Sequence, residues 1–574
     1  MRKTRSQLQT AVKIANTPYL QTEIRSRLGV SLKTSFFQLP RGTAKLYIRV
    51  SVLLLLLSGN SLFGQFIPIH PQNQAVYSFL SEFPLDYNPA IKPLGRLKTS
   101  ELLNGIDKTN LNSRQQKELD FYLKDYNKEL YPHKNFSRRL DLFYYRDSSF
   151  SLTVNPIGGG NAWINKNGYE YHWWNGAEAS ATIGNWGFYA SLRDNHLSSQ
   201  IFSPTFLDQQ PAGSNFKVLD EGKTDFEEIR GGVTYAWKTG HVGLVKDNFE
   251  WGTNYQGANI FSGHNPAFVY IDLQMKPTKW FEFNYIHGWL NSELVDSSRS
   301  FNTFNGYGAS TRLVYHSRFI AANMFSFYPV KKLSLSLGNS VIYDNDQLHP
   351  AYLIPVMFFK AVDHSLNSNI DNMNSQMFID ISSKNIKYLH LYATLFIDEL
   401  AMDRIKIKDE HNFASLKAGF RVSNLIPNVF GGLEYTTTNV LTYKHFVPTT
   451  TFESNRYNLG HYLTDNAIEL CLNLGWKPLR TLMLELSYTD IQKGPDHTAL
   501  GTMTREKIAP FVPIVYESST LELTASWQIM NDLGMKLGFI HRNVSGEPAY
   551  MAEYSPEFWW GETNSLNISI NFGF

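Results

Sequence analysis

From about Phe136 to the end of the chain, large apolar side chains recur at every second position, with polar residues between them. A strand sends successive side chains to opposite faces, so this spacing gives one greasy and one polar face, strand after strand. The clearest unit is Ile468-Glu469-Leu470-Cys471-Leu472-Asn473-Leu474-Gly475-Trp476, a Lys477-Pro478-Leu479-Arg480 turn, then Thr481-Leu482-Met483-Leu484-Glu485-Leu486-Ser487-Tyr488. Similar units surround Lys276-Pro277-Thr278-Lys279, Pro329-Val330-Lys331-Lys332 and Asn531-Asp532. The pattern returns in Leu566-Asn567-Ile568-Ser569-Ile570-Asn571-Phe572-Gly573-Phe574. If the greasy face meets lipid, no backbone edge can stay unpaired, so the last strand must pair with the first. These residues are therefore expected to close a barrel, with Phe574 as the aromatic that barrel-assembly machinery engages.

Tight turns alternate with long polar stretches at roughly 194–229, 344–375, 400–415, 490–512 and 541–565. Short turns at one end and long loops at the other mark outer-membrane barrels, whereas a soluble sandwich lacks that asymmetry. At about ten residues per strand, residues 136–574 accommodate on the order of 16–18 antiparallel strands, an all-β transmembrane barrel. Its polar face would line a lumen with Glu469, Glu485, Glu282, Asp272 and Asn284, and with Cys471 as a passive neighbour. Leu470, Leu472 and Leu474 would face lipid. The 39 Phe, 31 Tyr and 12 Trp suit the interfacial girdles of such a barrel. The one continuous apolar run, Val50 to Leu57, is too short to cross a bilayer as a helix.

Charge divides the chain. Residues 1–64 hold ten Lys/Arg and one acid, net +9, and the remainder holds 43 basic against 50 acidic residues, net −7. The basic head leads through Lys45 and Arg49 into the leucine run and Ser61-Leu62-Phe63-Gly64-Gln65, the layout of a signal peptide cut after Gly64. That context argues against a nucleic-acid-binding arm. The single cysteine, Cys471, excludes an internal disulfide and a lipid attachment site behind the apolar run. Residues 65–135 read as a small helical unit. Tyr77, Phe79, Leu80 and Phe83 suggest one helix, Thr99-Ser100 cap a second, and Ser113-Arg114-Gln115-Gln116 form a capping box for a third. Leu119, Tyr122, Leu123, Tyr126 and Leu130 give that third helix an apolar stripe. The unit is too short for much core of its own, so it is expected to pack on the periplasmic end of the barrel.

Candidate lumenal ligand residues are Asp247, Trp251, Asp344, Asp398 and Glu399, because carboxylates and aromatic faces suit hydroxyl-rich ligands. The competing reading pairs these acids with lumenal Arg and Lys and places the Trp at an interface. Asp363-His364 and Asp496-His497 suggest a barrel protease, but that chemistry also uses paired aspartates and no Asp-Asp occurs. His390 has no nucleophile flagged near it in sequence. The 16 histidines show no metal-ligand spacing. No catalytic, cofactor or metal site is expected.

The helical head followed by Gly243-Leu244-Val245-Lys246-Asp247-Asn248-Phe249-Glu250-Trp251-Gly252, Asn265-Pro266 and His287-Gly288-Trp289-Leu290 resembles the capsule assembly Wzi family. The similarity continues through Val341-Ile342-Tyr343, His349-Pro350-Ala351-Tyr352-Leu353-Ile354-Pro355, Ala361-Val362-Asp363-His364, Phe396-Ile397-Asp398-Glu399-Leu400 and Leu459-Gly460-His461. It spans about residue 73 to the C-terminus. The resemblance implies an outer-membrane barrel with a periplasmic helical unit that helps hold capsular or other surface polysaccharide. Some relatives resemble gliding-motility surface proteins, so an adhesion or motility component is one alternative, and a transport channel is another. The loops are not covered, and no sugar-binding residue is carried over.

Overall fold

The computed structural model describes residues 65–573 except 71–73, 132–136, 210–211, 219–221, 306–307, 346, 367–372, 408–409 and 500–504. The basic head, the signal-peptide segment and Phe574 lie outside the described residues. Eighteen antiparallel strands close into one barrel. They are β1 (Phe150–Asn165), β2 (Gly168–Ile183), β3 (Trp186–Leu197), β4 (Thr224–Trp237), β5 (Gly240–Asp247) and β6 (Phe268–Met275). Next come β7 (Phe281–Leu290), β8 (Arg318–Phe327), β9 (Leu333–Asp344), β10 (Asn374–Ser383), β11 (Leu389–Glu399) and β12 (Phe413–Ser423). The last are β13 (Val429–Thr438), β14 (Ala467–Leu479), β15 (Leu482–Lys493), β16 (Tyr516–Met530), β17 (Leu533–Gly546) and β18 (Gly561–Phe572).

β18 closes on β1 from Leu566↔Ile164 to Phe572↔Gly158, and the short Phe143–Arg146 strand prolongs the seam along Ser151–Val154. Glycine is required there: a Cβ on Gly159 would stand 2.5 Å from the Ile570 carbonyl and from the Trp174 ring. All connections at one rim are short, from 184–185 to 531–532, whereas the other rim carries connections such as 198–223, 494–515 and 547–560. Lys166-Asn167 makes the one tight turn at the long-loop rim. Long connections at 248–267, 291–317 and 439–466 add to the five expected from sequence.

The expected register holds along β14. Glu469 and Cys471 are buried inward, while Leu472 and Leu474 are 40% and 54% exposed on the outer wall. Leu521, Leu523, Ile568 and Ile570 continue that apolar exterior. No helix of the described residues is long and apolar enough to cross a membrane. The simple polar-inside pattern fails along β6–β11, where Tyr270, Ile286, Ile320, Met324, Ile342, Phe378 and Phe396 point inward into an apolar cluster. Chain segments inside the lumen cover that cluster, as described below.

The helical unit comprises α1 (Gln74–Ser81), α2 (Arg96–Asn104) and α3 (Ser113–Leu130), around Val76, Phe79, Leu80, Leu103, Leu119, Tyr122, Leu123 and Tyr126. Two caps differ from expectation. Asn112, not Ser113, caps α3: its side chain accepts from Gln115 N at 2.9 Å, and its own N–H donates to Gln115 Oε1 at 3.1 Å. α2 begins at Arg96, so Thr99 and Ser100 lie inside it, buried. The unit lies across the short-turn rim and bonds turns far apart on it. Gln65 donates to Gly184 O at 3.1 Å, Arg114 to Asn428 at 3.0 Å, and Arg139 to Asp532 at 2.5 Å. Arg114 also bridges Glu82 and Glu118 at 2.6 Å, with all three side chains buried.

Two predictions follow from this packing. Leu472→Arg at mid-wall should cost roughly 2–4 kcal/mol and visibly reduce the boiled/unboiled gel shift, whereas Asn473→Arg, facing the lumen, should be much milder. The reverse order would place the register one residue out. The second concerns pH. Burial pushes the Asp125 carboxyl up, but Arg139, Arg96 and Lys128 outweigh it and hold it well below its ordinary value. Asp141 is likewise held down against burial by Lys128 and Arg139, while burial raises Asp532 despite Arg139. For the first two, the folded state binds protons less readily than the unfolded, so their stabilisation is complete above about pH 4 and fades below it. Asp532 opposes this with one group against two. Hydrogen-exchange protection factors in α3, taken against the intrinsic rate at each pH, should therefore fall progressively below about pH 4; unchanged protection factors down to about pH 3 would contradict it.

Candidate functional site

Two segments fill one side of the lumen. From the short-turn rim, residues 86–92 rise into the barrel. Tyr87 donates to Glu282 at 2.9 Å, and Asn88 contacts both Ser382 and His390. From the opposite rim, the connection after β5 turns downward. Ile91↔Trp251 and Lys92↔Glu250 pair as a two-residue antiparallel ladder, with a Lys92–Glu250 ion pair at 2.6 Å. Gly252 permits the turn with φ +108°; a Cβ there would be strained and 3.3 Å from Thr394.

Lumenal polar side chains of β10–β13 hold this connection, supplying partners for backbone groups that would otherwise be buried unpaired. Asp380 accepts from Thr253 N at 2.7 Å and Thr394 Oγ1 at 2.9 Å. Glu434 accepts from Tyr255 N at 2.7 Å and Tyr392 at 2.6 Å. Buried Lys417 donates to Gln256 O at 2.8 Å. Behind them Trp251, Phe261, Phe378, Phe396 and Phe452 make an apolar core inside the barrel.

Along β14–β18 and β1–β3 the lumen stays open. A cavity of about 960 Å³ adjoins the helical unit and is lined by Tyr77, Arg193, Cys471, Asn473, Glu485 and Asn571 among others. A second, about 340 Å³, lies under the long-loop rim between Trp163, Phe202, Glu170, Arg542, Phe558 and Trp559. The two share Asn161, Glu522, Lys536 and Ser569. Lys536 and Glu522 pair at 2.9 Å, and the Arg542 guanidinium lies 4.4 Å from the Trp559 ring centroid. Charged and amide side chains beside aromatic rings can hydrogen-bond hydroxyls while an aromatic face packs against C–H surfaces.

None of the five residues singled out in sequence lines these two cavities. Asp247 accepts from Arg230 Nε at 2.6 Å and Tyr189 at 2.7 Å, and Trp251 is sealed in the apolar core. Asp398 accepts from Tyr443 N at 2.8 Å, and Glu399 pairs with Arg404 at 2.6 Å and Arg505 at 3.4 Å. Asp344 stands opposite Arg318 at the end of β9. Asp398 and Glu399 thus hold loop residues, while Asp247 bonds side chains of neighbouring strands. Glu522 was legible as the polar residue between outward Leu521 and Leu523; Phe558 and Trp559 come from a loop whose return into the barrel has no local signal. The Ser/His arrangement missing from the sequence is present between adjacent strands, Ser382 Oγ to His390 Nε2 at 2.7 Å. Asn88 covers it, and His390 Nδ1 meets the Tyr255 hydroxyl at 2.8 Å where a hydrolase triad has a carboxylate.

A closed barrel with an apolar outer wall and a polar, partly plugged lumen defines a transmembrane barrel of the outer-membrane type. Among solved structures, the chain is similar to Wzi from Escherichia coli, described as a carbohydrate-binding outer-membrane barrel involved in group 1 capsule assembly. The TM-score is 0.54 at 12% identity, covering 89% of this chain and 100% of that one. Weaker similarity, TM-scores 0.40 and 0.38, extends to OccD3 and OprD from Pseudomonas aeruginosa at 10% and 9% identity, covering 73% of this chain and 90% and 92% of those. At such identities the likeness is one of fold. No protein-family model and no curated protein sequence matches the chain.

Proposed function

We propose that this chain is a non-enzymatic outer-membrane barrel that binds capsular or other surface polysaccharide at its long-loop rim, as a member of the Wzi family. The observation that carries this reading is the rim cavity, where Trp163, Trp559 and Phe202 stand beside Glu522, Lys536, Arg542 and Asn567. Sugars present hydroxyls to charged and amide groups and C–H faces to aromatic rings, and this lining offers both. The fold shared with a carbohydrate-binding barrel supports it. In this reading the helical unit faces the periplasm, consistent with an exported N-terminus that precedes the first strand, and the long loops face outward. The two adjoining cavities favour a channel as the second reading. Trp559→Ala and Glu522→Gln should each weaken binding of purified surface glycan roughly tenfold, about 1.4 kcal/mol, with the gel shift intact. A Trp280→Ala control at the short-turn rim should leave binding unchanged. Undiminished binding in both cavity variants would defeat the rim site.

A further inference from the structure

The connection between β9 and β10 does not rise over the rim as the sequence suggests. Its residues 348–366, including the Pro350–Leu353 turn and the Phe359–Leu366 helix, lie on the outside of the barrel wall. Tyr352 and Phe359 are buried there against Phe283, Tyr285, Phe319, Val341 and Tyr343, all outward residues of β7–β9. The same wall carries two polar residues opposite each other in register, Asn323 and Asn339. Asn323 donates to the carbonyls of Pro355 at 3.0 Å and Met357 at 2.8 Å. Asn339 donates to Asn323 at 2.7 Å and accepts from Phe359 N at 2.8 Å. Tyr285 donates to Tyr352 O at 2.8 Å. These side chains bond backbone groups of an irregular segment, as needed where no water is available, because hydrocarbon tolerates non-helical backbone only when protein satisfies it.

From Leu353 to Phe358 the opposite side of the segment is apolar, while half-buried Lys360 and exposed His364 and Ser365 belong to the helix that follows. Leu353, Ile354, Val356 and Phe358 are exposed, Val356 by 63%, and so are the outward residues Leu337 of β9 and Ile381 of β10. Asn323 is five residues into β8 from the long-loop rim. At about 3.4 Å per residue and a tilt near 40°, that is on the order of 13 Å below the rim, about half the height of a typical apolar band.

We propose that residues 348–366 form an external strap inserted into the membrane leaflet on the long-loop side, with Leu353, Ile354, Val356 and Phe358 packed against lipid acyl chains. The strap hides a polar strip of the wall, Asn323 and Asn339, and over residues 353–358 presents apolar side chains like those of the rest of the exterior. The occupant is acyl chain, not water or protein.

Spin labels at Val356→Cys and Phe358→Cys, in a Cys471→Ser background, test this in the full chain reconstituted into phosphatidylcholine liposomes. Both native side chains are exposed, so labelling should leave the gel shift intact. The strap predicts that each label collides more often with molecular oxygen than with a water-soluble nickel chelate, matching a reference label at Leu472→Cys. Greater access to the chelate would place the strap in water and overturn the proposal. Shielding from both would mean that protein covers the patch, which also overturns it.

Discussion

A strand wall in hydrocarbon has to satisfy every backbone N–H and C=O from within the protein, and that requirement shapes the rest of the molecule. It makes β18 return to β1, with glycine where Ile570 and Trp174 crowd the seam. Strands of this length leave one rim with tight turns, a flat landing on which the helical unit bonds Gly184, Asn428 and Asp532 at well-separated points. The long connections are then free to serve other purposes on the opposite side. One, after β5, enters the lumen; another, after β9, covers the outer wall.

Inside, the same rule operates without lipid. Loop backbone drawn into the lumen finds its partners among Asp380, Glu434 and Lys417, so the conspicuous charges of β10–β13 act as sockets for the chain itself. Removing one member of such a buried set leaves its partners desolvated and unpaired, which costs more than an exposed ion pair contributes. The plug consumes the polar capacity of one side and leaves Glu485, Glu522, Lys536 and Arg542 on the other to face the cavities.

Much of this wall was legible in sequence because a period of two is a local property: Leu470, Leu472 and Leu474 declare their face without reference to any other strand. The turns were legible for the same reason. What escaped were residues whose meaning lies far along the chain. Inward Ile320 and Phe378, and outward Asn323 and Asn339, break the alternation; their partners, Trp251, Phe261, Pro355 and Met357, arrive from loops. Asp247 and Glu399 drew attention as strand-end acids, and only the folded chain shows Arg230, Arg404 and Arg505 beside them. At Asn112 the difference was one residue, since asparagine and serine both cap and only the backbone geometry selects between them.

The central claim is that the chain plugs one side of its own lumen, leaving too little open to conduct, so that the proposed ligand is held at the rim. Ion current across a planar bilayer tests this most directly, comparing the full chain with a variant in which residues 253–260 are replaced by a short Gly-Ser linker. The account predicts no steady current from the unmodified protein and frequent openings once that connection no longer occupies the lumen. A steady ohmic current from the unmodified chain, equal to that of the variant, would contradict it.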